Sequence, residues 1–365
     1  MGAFCPLFLL TVVASYSTCN FFQTNVPLSA GNFEVSQNEI MFDSLAARNV
    51  PQFKAEEIIY HCHWAPSTDI NNKLPALIIP VRDMSVLLRF TLGNLKEKGI
   101  PSQVNIIVVD DRSVEDIKGI ATEFNCSYLR IDNSKGFNFS MLNNIPAFLF
   151  HKLGGSHCIL WNSDLWVDDA SSFKIFVERH IESCSKISGS KLLYPVSNFY
   201  PFQTAADEIN FEKYYANSYP HLKNGKWRGR VQFGGSIWVD TSKTSPIKTS
   251  PDHFGRFSLS HSPEVNCEKL VTFVTGALMM VDLKWFIRIG GLNPSLGKGF
   301  QDVDLGLRAY VAGEKIMYFG KDISFVHGES FSFYALGTKK IDKQIESDHY
   351  LFSQLWNQKV NLLKK

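Results

Sequence analysis

Residues 74–113 read "LPALIIPVRDMSVLLRFTLGNLKEKGIPSQVNIIVVDDRS", and this stretch decides the fold class. Two short apolar runs, each ending in charged residues, enclose a segment whose apolar residues recur at helical spacing and which closes with Lys and Gly. The pattern predicts a strand, a helix and a second strand. Strands joined in this way lie parallel in one sheet, with a right-handed crossover.

The alternation continues beyond this unit. Helical spacing recurs in "VEDIKGIATEF" (114–124) and "FSMLNNIPAFLFHKL" (139–153), and strand-like runs occur in "CSYLRID" (126–132), "HCILWNSD" (157–164) and "VTFVTGALMMVD" (271–282). We therefore expect an α/β fold with a mainly parallel sheet flanked by helices. Ligands of such sheets bind beyond the carboxyl ends of the strands, where "VVDDRS" and "LWNSD" both place acidic residues.

Composition is that of a globular protein: 365 residues, 45% of them hydrophobic and 20% charged. A net charge of +2 gives no general attraction to nucleic acid, and no nucleic-acid partner is expected. The seven cysteines form no CxxC pair, which argues against a zinc ribbon. We interpret "HCHW" (61–64) as an ordinary segment before the first strand rather than as a metal cluster.

The chain divides into an N-terminal part, one large domain and a tail. The apolar run near residues 3–14 has the length of a signal-peptide core, although Lys and Arg are missing before it, and a short anchor is the alternative. A signal would direct the chain to the secretory pathway or Golgi lumen; otherwise we expect it in the cytoplasm, with no strong membrane association beyond this segment. The predicted divisions are 1–19 (signal or anchor), 20–72 (extension with a short helix near "EIMFDSLAAR"), 73–335 (main domain, with halves 73–170 and 190–335) and 336–365 (helical tail).

Six short motifs follow one another in a recognisable order. They are "PVRD", "VVDDRS", "NSKGFNFSMLNN", "LWNSD", the block "TGALMMVDLKWFIRIGGLNPSLGKGFQDVDLGLRAYVAGEKI" and "ISFVHGES". Over residues 73–330 this order resembles the nucleotide-sugar glycosyltransferases of GT-A fold, most closely glycosyltransferase family 2. The resemblance implies a Rossmann-like domain, a UDP- or GDP-sugar donor, a divalent metal (Mn²⁺ or Mg²⁺) and a hydroxyl acceptor on a glycan, a protein or a small molecule.

The resemblance also assigns residues to the nucleotide. Asp110 or Asp111 would accept a hydrogen bond from the base or ribose, with Asp110 favoured because it is nearer the strand. The alternative for this acid is a turn-initiating Asx cap followed by Ser113. The other nucleotide-binding residues implied are Pro80, Arg82, Gly136, Asn144 and Ser163, although Asn144 could instead be a buried amide paired with backbone.

"NSD" stands where the family has its Asp-x-Asp motif, so the resemblance implies that Asp164 binds the metal. Asn162 departs from the strict motif, because an amide oxygen can coordinate but carries no charge. His327, in "SFVHGES", would be the second protein ligand, and an imidazole suits Mn²⁺ better than Mg²⁺.

"GFQDVDLGLR" (299–308) places two acids where a loop becomes a helix. The resemblance implies that Asp302 is the general base of an inverting transfer, with Gln301 where the family usually has Glu. Asp304 would cap the helix or order the loop, and Arg308 could pair with it. The resemblance also assigns Gly276, Gln301 and Asp304 to the acceptor or donor sugar.

Two other functions remain open at this level. A retaining polypeptide-type sugar transferase would share the fold and the late Gly-rich block, with Asp302 contacting a sugar instead of acting as base. A non-catalytic sugar- or nucleotide-binding protein would explain Asn162 and Gln301.

Overall fold

The computed structural model describes residues 29–36, 59–132, 136–196, 226–240, 249–329 and 339–356. Within these ranges the strands are β1 (Gly31–Ser36), β2 (Ile59–Ala65), β3 (Ala76–Val81), β4 (Asn105–Asp110), β5 (Ser127–Asp132), β6 (His157–Trp161), β7 (Leu165–Trp166), β8 (Ile187–Ser190), β9 (Leu192–Leu193), β10 (Val231–Phe233), β11 (Ser236–Asp240), β12 (Thr249–His253), β13 (Glu268–Leu270), β14 (Leu278–Asp282), β15 (Ile316–Phe319) and β16 (Phe325–His327). The α-helices are α1 (Ser85–Glu97), α2 (Ile117–Glu123), α3 (Phe139–Lys152), α4 (Ala170–Ser183), α5 (Leu283–Arg288), α6 (Gln301–Val311) and α7 (Lys339–Trp356).

The main sheet has ten strands in the described part of the chain, in the order β1-β2-β5-β4-β3-β6-β14-β8-β15-β13. The predicted α/β class is confirmed, and the central strands β5, β4, β3 and β6 are parallel as expected. The sheet as a whole is mixed, because β2 pairs antiparallel with β5 and β14 pairs antiparallel with both β6 and β8. Every residue of β3 and β4 is buried, as is typical of parallel strands covered on both faces.

Part of the stretch assigned to the N-terminal extension belongs to this sheet. Residues 61–64 lie inside β2, paired with β1 on one side and β5 on the other, so their interpretation as a segment before the first strand was wrong. Cys62 and Trp64 face the core, while His61 and His63 point to the outer face. The predicted signal segment and the helix near "EIMFDSLAAR" lie outside the described residues.

Side-chain caps begin several of the helices, as the sequence signals predict. Asp116 accepts from the Gly119 N–H at α2, and Asn138 accepts from the Met141 N–H at α3. At α4, Asp169 accepts from the Ser171 N–H. Each such bond satisfies a backbone donor that the helix itself leaves unpaired.

A smaller sheet lies against the main one and matters for the site. Its order is β10-β9-β16-β7, with β16 antiparallel to β7 and parallel to β9. β7 follows β6 after a three-residue turn, so this sheet begins at the carboxyl end of a central strand. The register pairs His327 with Leu165, which brings the end of β16 beside the turn that follows β6.

Helix α7 packs on α6 through a separate apolar cluster containing Leu296, Val303, Leu307, Phe352 and Trp356. None of the helices in the described ranges is long and apolar enough to span a bilayer.

Candidate functional site

The loops that follow β3 and β4 are joined by reciprocal hydrogen bonds. Asp83 N–H donates to Ser113 Oγ (2.7 Å), and Val114 N–H donates back to Asp83 Oδ1 (2.7 Å). Asp83 has φ +53°, a left-handed conformation that is uncommon for a residue with a side chain. These contacts give the carboxyl ends of β3 and β4 a fixed rim.

Asp110 is buried at the end of β4, and both of its carboxylate oxygens are used within the protein. Oδ1 accepts from the Ser113 N–H (2.7 Å), which is the Asx-type turn considered above. Oδ2 accepts from the Tyr128 hydroxyl (2.6 Å) and from Arg130 Nη1 (3.0 Å). The geometry therefore favours an internal structural role for Asp110.

Asp111 is equally buried but is not fully paired. Its Oδ1 accepts from Arg112 Nε (3.0 Å), while its Oδ2 has no hydrogen-bond donor among the residues that the structure describes. Arg82, with 43% of its side chain exposed, is 3.8 Å from Oδ2. Burial raises the pKa of Asp111, and the charges of Arg112 and Arg82 oppose that rise. A buried carboxylate oxygen without a donor is costly unless a ligand supplies one.

The remaining residues assigned to the nucleotide differ in how accessible they are. Pro80 is buried within β3, and Gly136 has φ +107°, a conformation that favours glycine. Asn144 is fully buried on α3 and bonds the backbone of Leu292 in both directions (2.8 and 2.9 Å). The backbone-paired alternative for Asn144 therefore describes it best. Ser163 is half-buried, and its carbonyl accepts from the Thr91 hydroxyl of α1 (2.6 Å).

Asp164 and His327 lie side by side, as the order of the motifs predicted. Asp164 Oδ1 is 3.2 Å from His327 Nε2, and both side chains are almost fully buried. Asn162 Nδ2 is 3.3 Å from the same ring nitrogen. The backbone of Gly328 donates to the Asp164 carbonyl (2.8 Å), and a side chain at residue 328 would come within 3.0 Å of Trp166. Glycine at this position thus allows the close approach of the two segments.

The described residues contain no group of three or more His, Cys, Asp and Glu side chains suited to a metal. The protein's contribution at this point is therefore the pair Asp164 and His327, with the amide of Asn162 beside them. Such a partial set suits a cation that also takes oxygen ligands from a substrate phosphate and from water.

A second layer surrounds His327, and the sequence analysis did not find it. Gln232 Oε1 is 2.8 Å from His327 Nδ1. Glu329 forms a two-oxygen ion pair with Arg256 (3.1 and 3.0 Å). Burial opposes ionisation of Glu329, but the charges of Arg256 and His253 and the hydrogen bonds from Gln232 and Tyr194 together outweigh it and lower the pKa of Glu329 to about 2. Gln232 lies in β10, where no sequence motif marks it.

Asp302 stands in the first turn of α6, after Phe300, whose φ is +66°. Its Oδ2 accepts from the Gly276 N–H (2.8 Å) and its Oδ1 from the Val303 N–H (2.8 Å). Burial raises the pKa of Asp302, although these backbone donors oppose the rise. Gln301 is buried; its Nε2 donates to the Lys298 carbonyl (3.2 Å), and its Oε1 has no hydrogen-bond donor.

Asp304 lies in the protein interior rather than at a helix cap or beside a sugar. Its side chain is fully buried, with Oδ2 accepting from Arg308 Nε (2.9 Å) and Oδ1 from Trp356 Nε1 (2.8 Å). The predicted pairing with Arg308 is confirmed, whereas Asp304 neither caps α6 nor is accessible to a sugar. Arg308 also donates to the carbonyls of Ile289 (2.8 Å) and Gly291 (2.6 Å), so the pair orders the Gly-rich loop.

Helix α7 holds the turn that precedes Asp302. Asp348 Oδ2 accepts from the N–H groups of Lys298 (2.7 Å) and Gly299 (2.9 Å). The ring of Phe300 stacks on His349 (centroids 4.8 Å apart) and on Phe352 (5.1 Å). The turn is therefore fixed by a helix far away in the sequence.

Comparison with known proteins gives only distant structural neighbours. No family model matches the chain, and no curated protein matches it. Among solved structures, GalNAc-T7 with UDP, GalNAc and Mn²⁺ is 13% identical with a TM-score of 0.47, over 70% of this chain and 43% of that one. The mannosyltransferase PcManGT from Pyrobaculum calidifontis, in complex with GDP-Man and Mn²⁺, is 11% identical with a TM-score of 0.42, over 74% of this chain and 61% of that one. This chain thus matches less than two thirds of either neighbour's length, and the chemistry must be argued from its own residues.

Proposed function

We propose that this protein is a GT-A-type glycosyltransferase that moves a sugar from a nucleotide diphosphate to a hydroxyl acceptor, with inversion and with a divalent metal. The observation that carries the proposal is the buried pair of Asp164 Oδ1 and His327 Nε2, 3.2 Å apart at the carboxyl end of a central strand. The neighbouring parallel strands β4, β3 and β6 end at the same edge of the sheet. Asp111 and Asp164 therefore border the same crevice.

The donor set of the pair fits a divalent cation. A carboxylate oxygen and an imidazole nitrogen that face each other at this distance are natural ligands for Mn²⁺, and less so for Mg²⁺. Asp164 and His327 would hold the cation, and the diphosphate would complete its coordination. When bound, such a cation neutralises the diphosphate and stabilises it as a leaving group.

The nucleotide is assigned to the rim formed by the loops after β3 and β4. Asp111 Oδ2, buried and without a donor, would accept a hydrogen bond from a base or ribose, and the guanidinium of Arg82 lies beside it. Uracil and guanine both carry a ring N–H that can donate a hydrogen bond to such an oxygen, which supports a UDP- or GDP-sugar donor. We place Asp111 rather than Asp110 in this role, because the oxygens of Asp110 are already used.

Asp302 is assigned as the general base. The acceptor hydroxyl oxygen would form a bond to the anomeric carbon while the bond from that carbon to the diphosphate breaks, and the hydroxyl proton would pass to the Asp302 carboxylate. A carboxylate whose pKa is raised by burial is a stronger base than one in water. The hydrogen bond from the Gly276 N–H fixes its orientation. Gln301 stays assigned to sugar contacts, since its buried Oε1 has no donor.

The test is a panel of nucleotide sugars with the purified protein, with and without Mn²⁺. We expect release of a nucleoside diphosphate from a uridine or guanosine donor that depends on Mn²⁺, and loss of that release in Asp164→Ala. Once an acceptor is found, NMR of the product should show the inverted anomeric configuration. Retention would remove Asp302 as the base, and nucleotide binding without turnover of any donor would favour a binding protein instead.

A further inference from the structure

We infer that Gln232 is a positioning residue that selects the tautomer and orientation of His327, and that Glu329 and Arg256 hold Gln232 in place. The inference deepens the proposed function and rests on it only for its consequence, the binding of a cation. The hydrogen-bond chain itself is a property of the protein without ligands.

The chain of contacts defines which end of the Gln232 amide faces His327. Gln232 is almost completely buried in β10, between Val231 and Phe233, so no solvent competes for its amide. Its side chain also hydrogen-bonds Glu329, and a carboxylate can only accept. The NH₂ group of Gln232 must therefore point to Glu329, which leaves its Oε1 to face His327 Nδ1 at 2.8 Å.

The tautomer of the imidazole follows from this orientation. Because Gln232 Oε1 is an acceptor, His327 Nδ1 must carry the proton, and in the neutral ring Nε2 keeps its lone pair. Nε2 is also 3.3 Å from Asn162 Nδ2, which can donate to that lone pair, and 3.2 Å from Asp164 Oδ1. Nε2 is thus the ring nitrogen on the side of Asp164, and it is the one left to bind a cation.

An outer layer explains why Gln232 cannot simply rotate. Arg256 Nη1 bonds both oxygens of Glu329 and lies 2.6 Å from the Tyr194 hydroxyl. Tyr194 itself hydrogen-bonds Glu329 and stacks on Phe257 at 5.5 Å between ring centroids. A flipped Gln232 amide would set its oxygen against the Glu329 carboxylate. That contact is repulsive whichever tautomer His327 adopts, so the arrangement allows a single orientation of the amide.

Partners of this kind affect metal binding in a measurable way. A metal-bound histidine usually donates its other ring N–H to an oxygen, and loss of that oxygen typically weakens metal binding by about 10–100-fold. We expect this factor for Gln232→Leu, which keeps a buried side chain of similar length but has no acceptor. Gln103→Leu, at a glutamine outside this network, is the control.

The experiment begins with the metal-free wild-type protein. Long-range ¹H–¹⁵N NMR of histidine-labelled protein, with His327 assigned by the signal missing in His327→Ala, should show a proton on Nδ1. In Gln232→Leu that preference should be lost, and in Gln103→Leu it should be kept. The exchange variant Gln232→Glu with Glu329→Gln restores an acceptor for His327 and a donor for residue 232, so it should recover the tautomer.

Mn²⁺ alone is then titrated into each variant and followed by EPR. Weaker binding by Gln232→Leu than by the control supports the inference. A wild-type spectrum with no proton on Nδ1, or an unchanged protonation of Nδ1 in a folded Gln232→Leu, would overturn it. If the NMR results hold but wild type and Asp164→Ala bind Mn²⁺ equally, the positioning role stands and the metal-dependent function fails.

Discussion

Asp304→Asn tests the buried ion pair that joins α6 to the Gly-rich loop and to α7. Both side chains of the Asp304–Arg308 pair are completely buried. The substitution keeps the size of the side chain and one acceptor oxygen but removes the negative charge. Arg308 then remains as a buried cation whose other partners include the carbonyls of Ile289 and Gly291.

The expected cost follows from that environment. Breaking a buried ion pair by removing one partner typically destabilises a protein by about 3–5 kcal/mol. Because the two carbonyls still solvate Arg308, we expect the lower end of the range, ~3 kcal/mol. An exposed pair with the same i,i+4 spacing provides the control: Lys174 and Glu178 have side chains 68% and 53% exposed. Glu178→Gln should cost about 0.5 kcal/mol or less.

Urea unfolding followed by circular dichroism measures both variants. With a slope of about 3 kcal/mol per molar urea, the Asp304→Asn midpoint should fall by roughly 1 M, while that of Glu178→Gln should shift by less than about 0.2 M. Equal midpoints for the two variants would refute the reasoning, since the buried charge would then contribute no more than a solvated one.

Three further predictions concern the site and its support. Asp302→Asn should lower turnover by about 10²–10⁴-fold with Mn²⁺ affinity unchanged, and wild-type turnover should fall as the pH drops through the raised pKa of Asp302, measured as initial rate against pH. Asp111→Asn should weaken nucleoside diphosphate binding in calorimetry while leaving the melting temperature nearly unchanged. Asp110→Asn should lower the melting temperature while leaving nucleoside diphosphate binding nearly unchanged, because the Asp110 carboxylate is bonded to Ser113, Tyr128 and Arg130. Trp356→Phe leaves one buried oxygen of Asp304 without its donor and should cost about 1–3 kcal/mol in urea unfolding.

Much of the central fold could be predicted, because β3 and β4 are buried on both faces and therefore read as continuous apolar runs. β2 was missed although "HCHW" alternates polar and apolar residues, which is the pattern of a strand with one covered face. The antiparallel direction of β14 could not be read from its residues, since it depends on pairing with β6, more than a hundred residues earlier. Local patterns indicate that a strand exists, but not with which other strand it pairs.

The candidate site could also be predicted in part. Motif order placed Asp164 and His327 in one site, and the structure brings them together because His327, at the end of β16, pairs with Leu165, the residue after Asp164. The choice between Asp110 and Asp111 depends on which of two adjacent carboxylates finds internal donors, and Tyr128 and Arg130 supply them from another strand. Gln232 gave no signal, since a buried amide outside a motif looks like any polar residue in a loop.

The packing of α7 has a consequence for the order in which the protein matures. α7 leaves the ribosome after every other described element, yet Asp348 and Phe352 hold the turn in front of Asp302. The rim around Asp111 depends only on residues made early in synthesis. A nascent chain can therefore form the rim assigned to the nucleotide first, while the acid assigned to proton transfer gains its support only when translation has passed residue 356. Under the proposed function, late completion of that turn would keep unfinished chains from turning over donor.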